Sequence, residues 1–298
     1  MIVFRHVSKW YGSQPAVRDL SFSVEPGEVV AVVGPNGSGK TTSLKAAAGL
    51  LRPSSGEVLL GRERLPAHLP GSRRTISFLP QRVSFPGALT GQEVVEFYGR
   101  LRSAPPGRGS EVLKLASLNG ASGRMVSTYS GGMLQRLGLA VAALPETEVL
   151  LLDEPTASLD APGLQAMRGL IAGARGKGSA VLFTSHQLED VRQLADRVLI
   201  LVEGQLAAEL GRAELERRLT RSGTMHLELD RCPPELLSRV EALAAAPRWD
   251  GRFLAVRGSP EQRARVVEAV RGAGIELRGL SSAEGGLEAL YRDLGVGP

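Results

Sequence analysis

Apolar residues fall along the chain in two rhythms. Unbroken runs stand at Val29-Val30-Ala31-Val32-Val33 and Val149-Leu150-Leu151-Leu152, and a third leads into Thr184 from Ala180. Such short runs, bounded by turn signals, predict strands buried on both faces. Ser21-Phe22-Ser23-Val24 alternates instead, and residues 2–6, 58–60 and 75–78 read as further strands. Helical spacing runs over 40–48, 93–101, 111–118, 133–144 and from the Ser158-Leu159-Asp160 turn to about Arg175. Strands and helices then alternate again: strand 224–230, helix 233–246, strand 252–257, helix 260–271, strand 275–280 and helix 284–294. The pattern predicts an α/β core over residues 1–215, a linker at 216–222 and a small α+β domain over 223–298.

Composition narrows the class. A chain of 298 residues, 43% hydrophobic, can bury one large core and one small one. No run reaches the roughly 18 apolar residues of a membrane span, and Met1-Ile2-Val3-Phe4-Arg5-His6 has no apolar leader. One cysteine, Cys232, excludes an internal disulfide framework. A cytoplasmic protein is expected. The net charge of +5 is uneven: 26 basic against 20 acidic residues precede Ser222, and 10 against 11 follow it. The basic residues never form a run of five, so no nucleic-acid partner is expected.

The chemistry centres on Gly34-Pro35-Asn36-Gly37-Ser38-Gly39-Lys40-Thr41-Thr42. This G-x-x-x-x-G-K-[ST] pattern leaves an apolar strand and opens a helix, the context a phosphate-binding loop requires. Glycines let backbone N–H groups wrap a phosphate, and the helix N-terminus adds its positive end. Lys40 would reach the β- and γ-phosphates, and the Thr41 hydroxyl would ligate Mg²⁺. A second apolar run ends in Asp153-Glu154-Pro155. Asp153 there would act on the metal, and Glu154, one residue on, could polarise an attacking water.

Further elements fit the same chemistry. Tyr11, before a glycine turn, offers a ring that could stack on adenine or pack in the core; beside a phosphate loop the stacking role is preferred. Leu79-Pro80-Gln81 is a strand exit carrying an amide. Ser130 caps a helix start whose Gly131 and Gly132 expose N–H groups, a second anion-binding surface. His186, just past a strand, could bond a γ-phosphate or cap the chain.

Taken in order, Tyr11, Gly34–Thr42, Gln81, Ser130-Gly131-Gly132, Asp153-Glu154 and His186 resemble an ATP-binding cassette (ABC) transporter ATPase over about residues 2–215. The resemblance implies a P-loop NTPase core: a mixed sheet with an antiparallel β subdomain and a helical subdomain at about 84–145. It implies that two copies sandwich two ATP, each between Gly34–Thr42 of one and Ser130–Gly132 of the other. Asp160 would lie at that interface, Gln81 would contact Mg²⁺ or the water, and His186 would hold the γ-phosphate. Catalysis would rest on Glu154, His186 and Gln81, with Thr41, Gln81 and Asp153 at the metal. A separate transmembrane subunit would be the second partner, which places the chain on the inner face of the cell membrane. The family's commonest signature, Leu-Ser-Gly-Gly-Gln, is here Tyr129-Ser130-Gly131-Gly132-Met133, so a Gln-mediated contact is lost.

The single cassette and the C-terminal extension resemble the exporter-type group. Within it, residues 79–85 and 89–93 are similar to the ATPase of the transporter that helps mature nitrous-oxide reductase. The rival class is a soluble ABC ATPase of translation or DNA repair. Those usually carry two cassettes or a long coiled coil, and here only about 110 residues part the two phosphate-chemistry motifs. A metabolic kinase or GTPase would leave the Ser-Gly-Gly turn unexplained, and the Asn-Lys-x-Asp guanine motif is absent.

Overall fold

The chain enters as a bulged hairpin, β1 (Ile2–Tyr11) and β2 (Gln14–Val24), whose inward Phe4 and Phe22 rings stack with centroids 4.3 Å apart. It crosses to β3 (Val29–Val33), buried at every position, and into helix α1 (Lys40–Ala47). It returns to the first sheet as β4 (Ser55–Leu60) and β5 (Leu65–Pro66), which give the antiparallel order β2-β1-β4-β5. After a 3-10 turn at Pro70–Arg74 comes β6 (Ile76–Leu79).

Three helices then separate β6 from the next strand: α2 (Gly91–Leu101), α3 (Arg108–Leu115) and α4 (Gly131–Ala143). A capping box starts α2, in which Thr90 Oγ1 accepts from the Glu93 N–H and Glu93 returns the bond to the Thr90 N–H. The second half alternates strand and helix through β7 (Val149–Leu152), α5 (Ala161–Gly176), β8 (Ala180–Thr184), α6 (Leu188–Leu194), β9 (Arg197–Val202) and β10 (Gln205–Gly211). The six-stranded sheet runs β10-β9-β3-β8-β7-β6, and β9, β3, β8, β7 and β6 pair in parallel. Side chains of both sheets and α1 share one apolar core. The fold is a mixed-sheet α/β core with a strand–loop–helix entry, as expected from the sequence.

This computed structural model describes residues 1–295, in two compact units that meet between Glu209 and Leu210. The second unit opens on α7 (Arg212–Arg221) and continues through β11 (Thr224–Leu229), α8 (Pro234–Leu243), β12 (Ala245–Trp249) and β13 (Phe253–Arg257). It ends with α9 (Pro260–Gly272), β14 (Leu277–Ala283) and α10 (Leu287–Asp293). Between α7 and α10 the order is βαββαβ, with antiparallel sheet order β12-β13-β11-β14, a ferredoxin-like arrangement. Leu227, Val240, Leu254, Val256 and Val266 fill its core.

Two expectations need correction. Residues 216–222 are not a linker: they fall in and just after α7, because Leu215 and Leu219 are buried one turn apart and Glu214 bonds Arg217 and Arg218. The helix expected over 233–246 stops at Leu243; Ala244 is already extended, and the backbone goes on as the edge strand β12. Pro247 explains both, since it holds its predecessor extended and tolerates an edge.

Candidate functional site

The loop Gly34–Gly39 links β3 to α1, so its position is set by a strand buried at every residue. Gly39 has φ +97 and lies against the Ala16 carbonyl of β2, where a side chain would find neither the dihedral nor the space. Lys40, 6% exposed, folds its ammonium back to donate to the Gly34 and Pro35 carbonyls at 2.8 and 3.0 Å. Burial pushes the Lys40 pKa down, against the pull of the Glu154 and Asp153 carboxylates. The Ser38 hydroxyl is buried without a hydrogen-bond partner. An orphaned donor and a lysine resting on loop carbonyls are what a phosphate would engage.

β7 brings Asp153 and Glu154 to the same end of the sheet. Asp153 is 1% exposed, and its Oδ1 accepts from Thr184 Oγ1 at 2.8 Å and from Thr41 Oγ1 at 3.2 Å. Burial raises the Asp153 pKa; the two hydroxyls oppose that rise and the Glu154 charge adds to it. Glu154 has φ +44, a left-handed backbone rare for a residue with a side chain, and its N–H donates to Thr184 Oγ1 at 2.7 Å. Its Oε2 accepts from Gln81 Nε2 at 2.7 Å and lies 3.7 Å from His186 Nδ1. Lys40, Thr41, Gln81, Asp153, Glu154 and His186 are thus one constellation.

Thr184 is the member that pattern reading missed. One hydroxyl serves both carboxylate residues, because β8 pairs with β7 in the register Leu152↔Phe183 and brings Thr184 beside Asp153. A polar residue ending an otherwise apolar strand, next to the strand carrying the acids, was the available signal.

The remaining residues lie apart from that constellation. Tyr11 ends β1 with 53% exposure, Lys9 Nζ 5.4 Å from its ring centroid, so it is an exposed ring and not a core aromatic. Ser130 caps α4 by accepting from the Met133 N–H. Gly132 packs against the Ser158 carbonyl, and Asp160, which caps α5, lies 3.5 Å from Arg136 Nε. Among the described residues no hydrogen bond or ion pair joins this second cluster to Gly34–Thr42.

A magnesium ion suits the donor set. Thr41, Asp153 and Gln81 offer only oxygen ligands, the preference of a hard cation. Among the described residues no three His, Cys, Asp or Glu side chains group as a metal site. Such an ion would therefore draw on one carboxylate, a hydroxyl, the amide and the nucleotide's own phosphates.

The fold and the strand–loop–helix site define a P-loop nucleoside triphosphatase. The family model for ABC transporters matches residues 17–157. The doxorubicin resistance ATP-binding protein DrrA of Mycobacterium tuberculosis is 36% identical over 251 residues, covering 82% of this chain and 74% of the relative. The Nod factor export ATP-binding protein I of Burkholderia orbicola is 35% identical over 212 residues, 70% of each. A dimeric, post-hydrolysis structure of the ATP-binding cassette MJ0796 with ADP and Pi superposes with a TM-score of 0.64 at 28% identity, covering 71% of this chain and 99% of that one. The chain belongs to the ABC transporter family. It is an ATP-binding, ATP-hydrolysing subunit of an ABC transporter.

Proposed function

We propose that this chain pairs with a second copy of itself around two ATP and drives a separate transmembrane subunit of an exporter from the cytoplasmic face. The observation that carries the reading is the division of the machinery. Lys40, Thr41, Asp153 and Glu154 converge at one place, while the capped Ser130-Gly131-Gly132 turn stands apart, available to another molecule. The dimeric cassette MJ0796 and the export names of the relatives support it. No described helix is long and apolar enough to cross a membrane, so a transmembrane path would be another chain's.

In this reading Lys40 leaves the Gly34 and Pro35 carbonyls for the β- and γ-phosphates. The exposed Tyr11 ring stacks on adenine. Glu154 polarises the attacking water, and His186 holds the γ-phosphate. Thr41, Asp153 and Gln81 would hold Mg²⁺, which would neutralise charge on the triphosphate. Asp160 and the Ser130 turn complete the partner's site. The membrane subunit docks near Gln81 and on the helical segment 89–144, where Phe97 and Leu101 leave an exposed apolar face one turn apart on α2. Copper-enzyme maturation as the particular export role rests on residues 79–85 and 89–93 alone.

The test is Glu154→Gln, which keeps the shape and removes the base. It should bind ATP, lose turnover by about 10²-fold or more, and accumulate as a closed dimer. A tagged Glu154→Gln chain should then capture a polytopic membrane protein from detergent-solubilised native membranes with ATP. Capture of ribosomal or DNA-repair partners alone would replace the exporter with the soluble ATPase, and unchanged turnover would remove Glu154 from the mechanism.

A further inference from the structure

The second unit contains a feature that ATP hydrolysis does not use. α7, the end of β13, the start of α9 and α10 wall a cavity of about 1100 Å³. It lies beyond the βαββαβ core: α7 and α10 are additions to that core, tied together where the Gly285 N–H donates to the Leu219 carbonyl at 2.9 Å. Four arginines line it: Arg218 and Arg221 from α7, Arg257 from β13 and Arg292 from α10.

Their surroundings are not charge-matched. The unit from Leu210 onward carries 14 arginines against 13 acidic residues, yet this cavity has four arginines against Glu214 and Glu261. Glu214 is already taken, since it accepts from Arg217 and Arg218, and those bonds hold its carboxyl below the usual range. Arg221 and Arg257 have no side-chain partner among the described residues. Arg292 reaches only the Glu288 carbonyl, at 3.5 Å. The start of α9 borders the same space, but its capping box already engages the Ser259 and Gln262 N–H groups and Pro260 has none, so the arginines carry the positive character of the site.

We propose that this cavity binds a phosphate-bearing anion, and that Arg221 and Arg257 are its principal ligands. Guanidinium groups grip phosphate oxygens in pairs, and these two line one groove without side-chain partners of their own. The site is a half-open groove whose Arg221, Arg257 and Arg292 are exposed, so a ligand would be held at its charged groups and not enclosed. The lining holds no aromatic ring, so recognition falls on the phosphates and not on a base. The anion is either a free phosphorylated compound or the headgroup of an anionic lipid.

The experiment uses the full chain with Lys40→Ala, which disables the Gly34–Thr42 loop, with and without Arg221→Ala plus Arg257→Ala. Inorganic pyrophosphate is titrated by calorimetry, and flotation is measured with phosphatidylglycerol and phosphatidylcholine vesicles. Saturable pyrophosphate binding that survives Lys40→Ala and weakens at least about tenfold (roughly 1.4 kcal/mol) on loss of the two arginines supports a free phosphorylated ligand. Arginine-dependent flotation with phosphatidylglycerol only supports the headgroup. Absence of arginine-dependent binding in both arms overturns the proposal. Arg221→Gln with Arg257→Gln repeats the comparison if the alanine chain melts early. Pyrophosphate binding that disappears with Lys40→Ala belongs to the ATP site, so the two readings fail separately.

Discussion

Asp153 is a carboxylate at 1% exposure whose Oδ1 accepts from two hydroxyls and, among the described residues, from no cation. Its pKa is raised by burial, so the fold favours the protonated form. The consequence for stability has a definite sign. Below the ordinary aspartate range the group is neutral folded or unfolded and contributes no pH dependence. As pH climbs through its raised value, the folded state must hold a buried charge and loses stability. Asp153→Asn is therefore expected to melt higher than wild type in nucleotide-free protein, with the gap opening as pH rises above the ordinary aspartate range. Turnover should be lost in the same variant. Thermal midpoints across that rise check the sign, and a variant melting lower at every pH would refute it. Thr184→Val is the opposite trade. It leaves the Glu154 N–H without its acceptor, costing about 1–3 kcal/mol, and loosens both acids, so kcat should fall about 10–100-fold while ATP affinity holds. Steady-state kinetics beside nucleotide titration separates the two effects.

Among the elements, the join between α2 and the turn before α4 carries a constraint of this chain's own. Tyr129 is buried, its hydroxyl donates to the Ala121 carbonyl at 2.8 Å, and it lies over Gly91, the first residue of α2. A methyl group on Gly91 would overlap that hydroxyl. The Gly91 and Gln92 N–H groups donate to the Arg124 and Ser122 carbonyls, and the Val126 N–H to that of Leu89. The tyrosine that departs from the common signature thus fills a space that Gly91 leaves open. Gly91→Ala should cost about 1–3 kcal/mol, and combining it with Tyr129→Leu should cost less than the two changes added. Denaturant midpoints of the four chains give the coupling, and additivity would show the contact to be idle. This pairing was not legible in the sequence, because it joins positions 38 apart and depends on how α2 packs against the turn before α4. The strands were legible where both faces are buried, as in β3 and β7, since continuous apolar runs have no other use. β9, β10, α6 and β12 were not foreseen, although the apolar run at 198–202 in β9 was as legible as that of β3. The Pro247 edge strand depends on neighbours that local pattern does not reveal. The site read well because phosphate chemistry fixes spacing within single loops. Thr184 escaped because its role comes from register between strands.

For the whole molecule, the proposed cycle requires ATP to favour the paired state over the separate one. Moving such an equilibrium from 1:99 to 99:1 takes about 5.5 kcal/mol of differential binding, shared here between two triphosphates and two Ser130 turns. The Glu154→Gln dimer should therefore form with ATP and dissociate with ADP, as size-exclusion chromatography would register. The Gln81 amide donates to Glu154 Oε2 at 2.7 Å, and in the proposed reading that carboxylate activates water. Gln81 also lies where the membrane subunit is proposed to dock. A subunit made in excess of its membrane partner would keep its carboxylate occupied and leave cellular ATP unspent, so surplus copies would be metabolically silent until assembly draws the glutamine away.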